Sequence, residues 1–172
     1  NVISSQRITG EPREKIFSII DKLTVEIKKD LTLPSEAKQE KDPQVASVTT
    51  NSPEAYRYYL EGINYVNKLY MKEAKQSFWK AVELDSTFAM AYFWLAGFAG
   101  FTDSPEEAKK MIAKASKYSN KVTEKEKHYI KTAEARLSGN TEQVIKELQK
   151  IAERYPQEKE ALSGLGFTYH SL

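Results

Sequence analysis

The sequence predicts an all-α fold in which antiparallel helix pairs follow one another as a solenoid. The chain has 172 residues, of which seven are glycine and six are proline, and this is too few for a turn-rich β sandwich. Apolar residues recur at helical spacing along most of the chain. After position 53, small and large residues also repeat with a period of 34 residues, which indicates a repeat architecture.

The composition excludes several classes of function. Hydrophobic residues make up 40% of the chain and charged residues 29%, which is typical of a chain that folds around a core. The formal net charge of +2 gives no overall attraction to nucleic acid or anionic lipid. Cysteine is absent, which excludes disulfides, thiolate metal sites and cysteine nucleophiles. We therefore expect no nucleic-acid partner.

The first 52 residues are predicted to form one helix and a linker. Residues 2–8 fit the tail of a strand, and an amphipathic helix is predicted over 13–31, where apolar residues recur every three or four positions. Residues 34–52 are polar, with proline at 34 and 43, and are predicted to be a linker. The chain thus divides into 1–33, 34–52 and 53–172. The apolar stripe of the helix comprises Ile16, Ile20, Leu23, Ile27 and Leu31.

The longest uncharged run, residues 86–102, is predicted to be a buried core helix. A membrane-spanning helix needs about 20 mainly apolar residues, and this run opens with Ser86 and Thr87 and holds two glycines. We expect no membrane span here. Because the chain lacks an initial methionine and ends inside a predicted helix, we also expect it to be a fragment of a longer protein.

The repeat is clearest in residues 55–88. Small residues stand at local positions 8, 20 and 27, and large ones at 11 and 24. Residues 89–122 preserve the pattern, 125–158 preserve it weakly after a two-residue insertion, and 159–172 begin a fourth unit. The residues of the first unit are Gly62, Ala74, Ala81, Tyr65 and Phe78, and those of the second are Ala96, Ala108, Ile112 and Ala115.

These positions resemble the tetratricopeptide repeat, although Ser86 stands where proline is usual. The resemblance implies two antiparallel helices in each unit, with Gly62 and Ala74 allowing the helices to approach closely. The first 60 residues resemble the junction between a TolB-like domain and such repeats in bacterial multidomain signalling proteins. The matching residues are Ile16, Phe17, Asp21, Leu23, Ile27 and Leu31, then Thr49, Thr50, Ser52, Glu54, Ala55 and Tyr56.

The tetratricopeptide resemblance also implies a ligand-binding groove. In that family, positions 2, 5, 9, 12 and 13 of each first helix face the concave side. A lysine–asparagine carboxylate clamp is missing, because Tyr59 and Ile63 occupy its sites. We expect an apolar or aromatic peptide or an amphipathic helix as ligand, unless these side chains pack against neighbouring helices or the first helix. The candidate groove residues are Tyr56, Tyr59, Ile63, Val66, Asn67, Met90, Phe93, Phe101, Tyr129 and Arg136, with Gly97, Gly100, Glu126, Ala133 and Leu137 at further mapped positions.

The sequence carries no motif for catalysis. His128 and His170 are far apart, and no phosphate-binding loop or Gly-x-Ser-x-Gly occurs. We expect no enzyme activity, cofactor or metal. A stripe of Lys110, Lys114, Lys117 and Lys121 is predicted to share one helix face, and a solvated face explains it better than an acidic partner does.

The predicted function is non-catalytic protein binding, as a scaffold or regulatory segment of a bacterial signalling protein. One alternative is a self-association module, in which the first helix and the incomplete fourth unit pack on another copy. A second alternative is regulation of an enzyme encoded upstream in the same chain. The sequence does not determine the compartment.

Overall fold

The computed structural model describes residues 16–30, 50–101 and 104–172. Within these ranges the regular structure is entirely helical, which confirms the predicted all-α class. The predicted strand tail at 2–8 and most of the predicted linker lie outside the described residues. The helices are α1 Ile16–Asp30, α2 Pro53–Asn67, α3 Met71–Leu84, α4 Ala89–Phe101, α5 Pro105–Lys117, α6 Glu124–Leu137, α7 Thr141–Arg154 and α8 Lys159–His170, with a 3-10 turn at Ser119–Lys121.

Side-chain caps define where several helices begin. The Ser52 hydroxyl accepts a hydrogen bond from the Ala55 N–H, and Pro53 follows at the first helical position. At α6, Thr123 and Glu126 form a capping box in which each side chain bonds the other's backbone N–H. The Asn140 side chain caps α7 through the Gln143 N–H. Local sequence therefore determines the starts of α2, α6 and α7.

The helices pack in chain order. Three pairs of consecutive helices pack together: α2 with α3, α4 with α5 and α6 with α7. Neighbouring pairs meet where α3 contacts α4, α5 contacts α6 and α7 contacts α8. Helix α4 also contacts α6, so the first helices of successive pairs lie side by side. This arrangement creates the surface on which the candidate site lies.

Small residues allow the helices of the first pair to approach closely. Phe78 on α3 is fully buried and lies against Gly62 on α2, where an added Cβ would be only 2.7 Å from Phe78 Cε1. Ala74 and Ala81 are also fully buried. The Phe78 ring stacks on Trp94 of α4 with centroids 5.6 Å apart. One aromatic side chain thus connects two consecutive helix pairs.

The uncharged run forms the most buried helix, α4. Ala91 and Leu95 are almost completely buried, as is Ala99 near the end of the helix, so the predicted core helix is confirmed. In the part of the chain that the structure describes, no helix has both the length and the apolar character needed to cross a bilayer.

Helix α1 meets the remainder of the molecule through Phe17. Its ring is buried and lies edge-on to Tyr56 of α2, with centroids 5.9 Å apart. Of the predicted apolar stripe, Ile20 and Ile27 remain 37% and 40% exposed. Phe17, which lies beside that stripe, therefore makes the buried contact.

Candidate functional site

A cavity of about 520 Å³ lies along the first helices of successive pairs. Helices α4 and α6 form its two long walls, α2 contributes one tyrosine, and the start of α8 closes one end. Its walls are mainly apolar and aromatic. The lining residues are Tyr59, Met90, Phe93, Trp94, Ala96, Gly97, Gly100, Lys125, Glu126, Tyr129, Ala133, Arg136, Leu137, Glu158 and Glu160.

Aromatic rings that are part of the core support the apolar wall. Tyr59 packs against Phe88 and Phe78, with ring centroids 4.9 and 5.7 Å apart. Phe93 lies edge-on to Trp94 at 6.0 Å, and Trp94 in turn stacks on Phe78. A ligand side chain would therefore meet a surface whose rings are already held in place.

The tyrosine in this wall remains uncharged. Burial raises the pKa of Tyr59 to about 12, against a smaller lowering by its hydrogen bond with Trp94. Since a phenol with this pKa is protonated at neutral pH, Tyr59 presents a neutral ring and hydroxyl. The wall consequently favours apolar and aromatic groups.

Charged groups meet at the end of the cavity where α6 and α8 begin. Lys125 Nζ lies 2.8 Å from Glu158 Oε2, and the Tyr129 hydroxyl donates to Glu158 Oε1 at 3.0 Å. The hydrogen bond from Lys125 lowers the pKa of the Glu158 carboxyl. Burial, followed by the hydrogen bond to Glu158, raises the pKa of Tyr129. This end is therefore ionised at Glu158 and neutral at Tyr129.

The opposite end holds Arg136 and Leu137. A Cβ added at Gly164 of α8 would lie 3.5 Å from Arg136 Nη2, so the guanidinium packs against the α8 backbone. The cavity is thus bordered by α8 near both ends of α6.

The structure brings together half of the ten predicted groove residues in this cavity, and they are Tyr59, Met90, Phe93, Tyr129 and Arg136. Four predicted residues of α2 do not line it: Tyr56, Ile63, Val66 and Asn67. Tyr56 instead lies between Phe17 and Tyr59, and it stacks on Tyr59 with centroids 6.2 Å apart. Phe101 ends α4, and its side chain lies outside the described residues.

Sequence reasoning missed five lining residues. Glu158 and Glu160 come from the start of the following pair, and Lys125 neighbours the predicted Glu126. Trp94 and Ala96 lie between predicted positions on α4. No described residue of α1 lines the cavity, so the described part of the first helix leaves this part of the surface open.

A second polar cluster is built around Glu147 of α7, which is almost completely buried. It accepts hydrogen bonds from Gln143 Nε2 and Lys150 Nζ at Oε1, while His128 Nδ1 lies against Oε2. Burial alone would raise the pKa of this carboxyl, but the bonds with His128 and Lys150 lower it below its ordinary value. The cluster connects α6 to α7. Among the described residues, no group of three or more potential ligands could hold a metal ion.

The predicted lysine stripe is not one helix face. Helix α5 ends at Lys117, and Lys121 belongs to the following 3-10 turn, where it donates to the Thr87 hydroxyl at 2.9 Å. Lys114 Nζ lies 4.9 Å from the centre of the Tyr92 ring. The prediction was wrong about Lys121 because the periodicity continues past the residue at which the helix stops.

Comparison with protein-family models and with curated proteins finds no match for this chain. Its function must therefore be argued from the geometry of the cavity.

Proposed function

We propose that this chain is a tetratricopeptide-type solenoid that binds a peptide or helix, without catalysis, along the first helices of its units. The observation that carries the proposal is the open cavity of about 520 Å³ between α4 and α6. The packing of helix pairs in chain order supports the solenoid, because such repeats contact only their neighbours and leave an extended binding surface.

Binding energy would come from covering the aromatic wall. Phe93 and Trp94 line the cavity while still half-buried, so a ligand can bury more of their surface. Burial of apolar area contributes about 25 cal/mol per Å² before the costs of association are subtracted. The ionised Glu158 at the edge of this wall is paired with Lys125.

The proposal is tested by substituting Phe93. A peptide that binds the chain is first selected from a displayed random library. Phe93→Ala should lower the affinity for this peptide by about tenfold or more, as expected for an aromatic anchor. Tyr70→Ala, which changes an exposed aromatic residue outside the cavity, should leave the affinity unchanged. Tyr59 is unsuitable for this test because it packs against Phe78 and Phe88 in the core. Equal affinities of wild type and Phe93→Ala would refute the groove.

Self-association is the second candidate, and exposed side chains on α8 support it. Leu162, Phe167 and Tyr169 are 48%, 69% and 51% exposed. Exposed large apolar side chains are found at protein interfaces. Light scattering over a range of concentrations should show a dimer or larger species, whereas a strict monomer would exclude this candidate.

The wider biological role is part of the proposal. We propose that the chain acts as a scaffold or regulatory segment of a bacterial signalling protein, and this part depends on the TolB-like resemblance of its first residues. The full-length reading frame tests it, because a kinase, cyclase or DNA-binding module upstream is expected.

A further inference from the structure

The charges around the candidate cavity are unevenly placed. Where α6 and α8 begin, three carboxylates, those of Glu126, Glu158 and Glu160, lie with a single ammonium group, Lys125. Arg136 is eleven residues beyond Lys125 along α6, which is about 16 Å at 1.5 Å per residue. The lining side chains at the Lys125 end therefore carry more negative than positive charge.

Further along α4, towards its end, the wall of the cavity leaves space for a large side chain. Gly97 and Gly100 line the cavity, and a Cβ added at either glycine would have nothing within 4 Å. Met90 and Phe93 lie on the same helix nearer its start. The cavity thus offers an apolar wall with open space towards the end of α4 and a set of carboxylates where α6 and α8 begin.

We propose that the ligand of this cavity is a peptide segment carrying a lysine or arginine beside a bulky apolar side chain. The cation would lie at Glu126 and Glu160, and the apolar group would cover Phe93. This inference rests on the proposed peptide-binding function and adds the chemistry of the ligand. Complementary charge selects the partner and its orientation, while the apolar contact supplies most of the affinity.

The carboxylates retain capacity to accept further hydrogen bonds. Glu126 receives the Thr123 N–H and hydroxyl at Oε2. Glu158 receives Lys125 and Tyr129 and also shares a side-chain hydrogen bond with Glu160. An ionised carboxylate offers about four acceptor positions. An incoming ammonium or guanidinium group can therefore bind without breaking the α6 cap.

The negative field also extends across the aromatic wall. After the larger effect of burial, the charge of Glu126 contributes to raising the pKa of Tyr59, and those of Glu158 and Glu160 contribute to raising the pKa of Tyr129. A ligand carboxylate in this space would experience the same repulsion. We therefore expect acidic peptides to be excluded.

The test begins with a random peptide library displayed on phage and selected on the intact chain. Selected sequences should be enriched in Lys or Arg close to an aromatic or large aliphatic residue, and depleted in Asp and Glu. The most enriched peptide is then synthesised, and its affinity is measured for wild type and for two charge-reversal variants.

The two variants are matched. Glu160→Lys changes the cavity, whereas Glu142→Lys changes another exposed acidic residue in the first turn of a helix, away from the cavity. Both lose the same favourable interaction with a helix dipole. We expect Glu160→Lys to weaken binding by about three- to tenfold and to reduce its salt dependence, and Glu142→Lys to change neither.

The outcomes separate this inference from the proposed function. Selected peptides that need Phe93 but lack basic residues, or that bind Glu160→Lys as well as wild type, would overturn the inference and leave the groove intact. Selected peptides that bind Phe93→Ala as tightly as wild type would overturn both.

Discussion

Two glycines at equivalent positions of the predicted repeat have opposite surroundings. A Cβ at Gly62 would lie 2.7 Å from Phe78 Cε1, whereas a Cβ at Gly166 would have nothing within 4 Å. The Phe78 ring cannot easily move away, because Trp94 stacks on it and Tyr59 packs against it. Of these two glycines, Gly62 is the one at which the packing requires a hydrogen in place of a side chain.

The same substitution should therefore have opposite effects at these two sites. We expect Gly62→Ala to lower the free energy of unfolding by about 1–3 kcal/mol through overpacking. Gly166→Ala should raise it by about 0.5–1 kcal/mol through the higher helix propensity of alanine. Urea unfolding of both variants measures the difference. Equal effects would show that Phe78 can be displaced at no cost.

The buried carboxyl of Glu147 should make stability depend on pH. Its hydrogen bonds with His128 and Lys150 outweigh burial and lower its pKa below 4.5 in the folded state. The ionised Glu147 carboxylate therefore contributes fully to stability above pH 4.5. This contribution is lost as the pH falls through the pKa of Glu147 in the folded state. Glu147→Gln should cost about 1.5–3 kcal/mol at neutral pH, and less in acid.

The measurement compares unfolding free energies at neutral pH and at about pH 3.5. Glu153→Gln, an exposed carboxyl on the same helix, is the control and should behave as wild type at both values. If Glu147→Gln lowers the free energy of unfolding by the same amount at both pH values, Glu147 does not have a lowered pKa in the folded state.

At the scale of elements, the turns that follow α2 and α6 have the same geometry but different residues. Leu69 and Gly139 each stand two residues past a helix and have φ of 62° and 71°. In both turns the next N–H bonds a carbonyl five residues back, from Tyr70 to Tyr65 and from Asn140 to Ala135. This left-handed ending favours glycine.

Leu69→Gly should consequently stabilise the chain. Leucine in this conformation destabilises the folded chain by about 1–2 kcal/mol. Glycine removes this strain, but part of the gain is lost because glycine also makes the unfolded chain more flexible. Because Leu69 is 77% exposed, little packing is lost, and we expect a gain of about 0.5–1 kcal/mol. Thermal unfolding measures it, with Gly139→Leu as the reverse substitution. A destabilised Leu69→Gly would mean that the leucine makes a stabilising contact.

Some residues of the site could be predicted from the sequence and others could not. The tetratricopeptide resemblance implied Met90 and Phe93 as groove residues, and both line the cavity, because positions three residues apart share a face of a helix. Tyr56 obeys the same spacing, yet Phe17 of α1 packs on it. Contacts between residues so distant in the sequence leave no local pattern. Glu158 and Glu160 were missed for the same reason, since they reach the cavity from the next pair.

For the whole molecule, stability should be graded along the chain. Helix α4 packs against α3, α5 and α6, whereas α8 packs mainly against α7. When each helix contacts only its neighbours, the free energy needed to unfold one helix locally increases with the number of helices it packs against. Helix α4 is also the most buried, while Phe167 and Tyr169 of α8 remain exposed.

Native-state hydrogen exchange should therefore be slowest in α4 and faster in α8 and α1. The gradient arises because α8 can open by losing one interface, while α4 must separate from three helices. In Gly62→Ala, exchange should accelerate in α2 and α3, where Phe78 packs, and remain nearly unchanged in α8. Equal protection from exchange in all helices would show that the chain opens as one cooperative unit, as would an equal acceleration of exchange in all helices by Gly62→Ala. Either result would contradict a stability that depends on contacts between neighbouring helices.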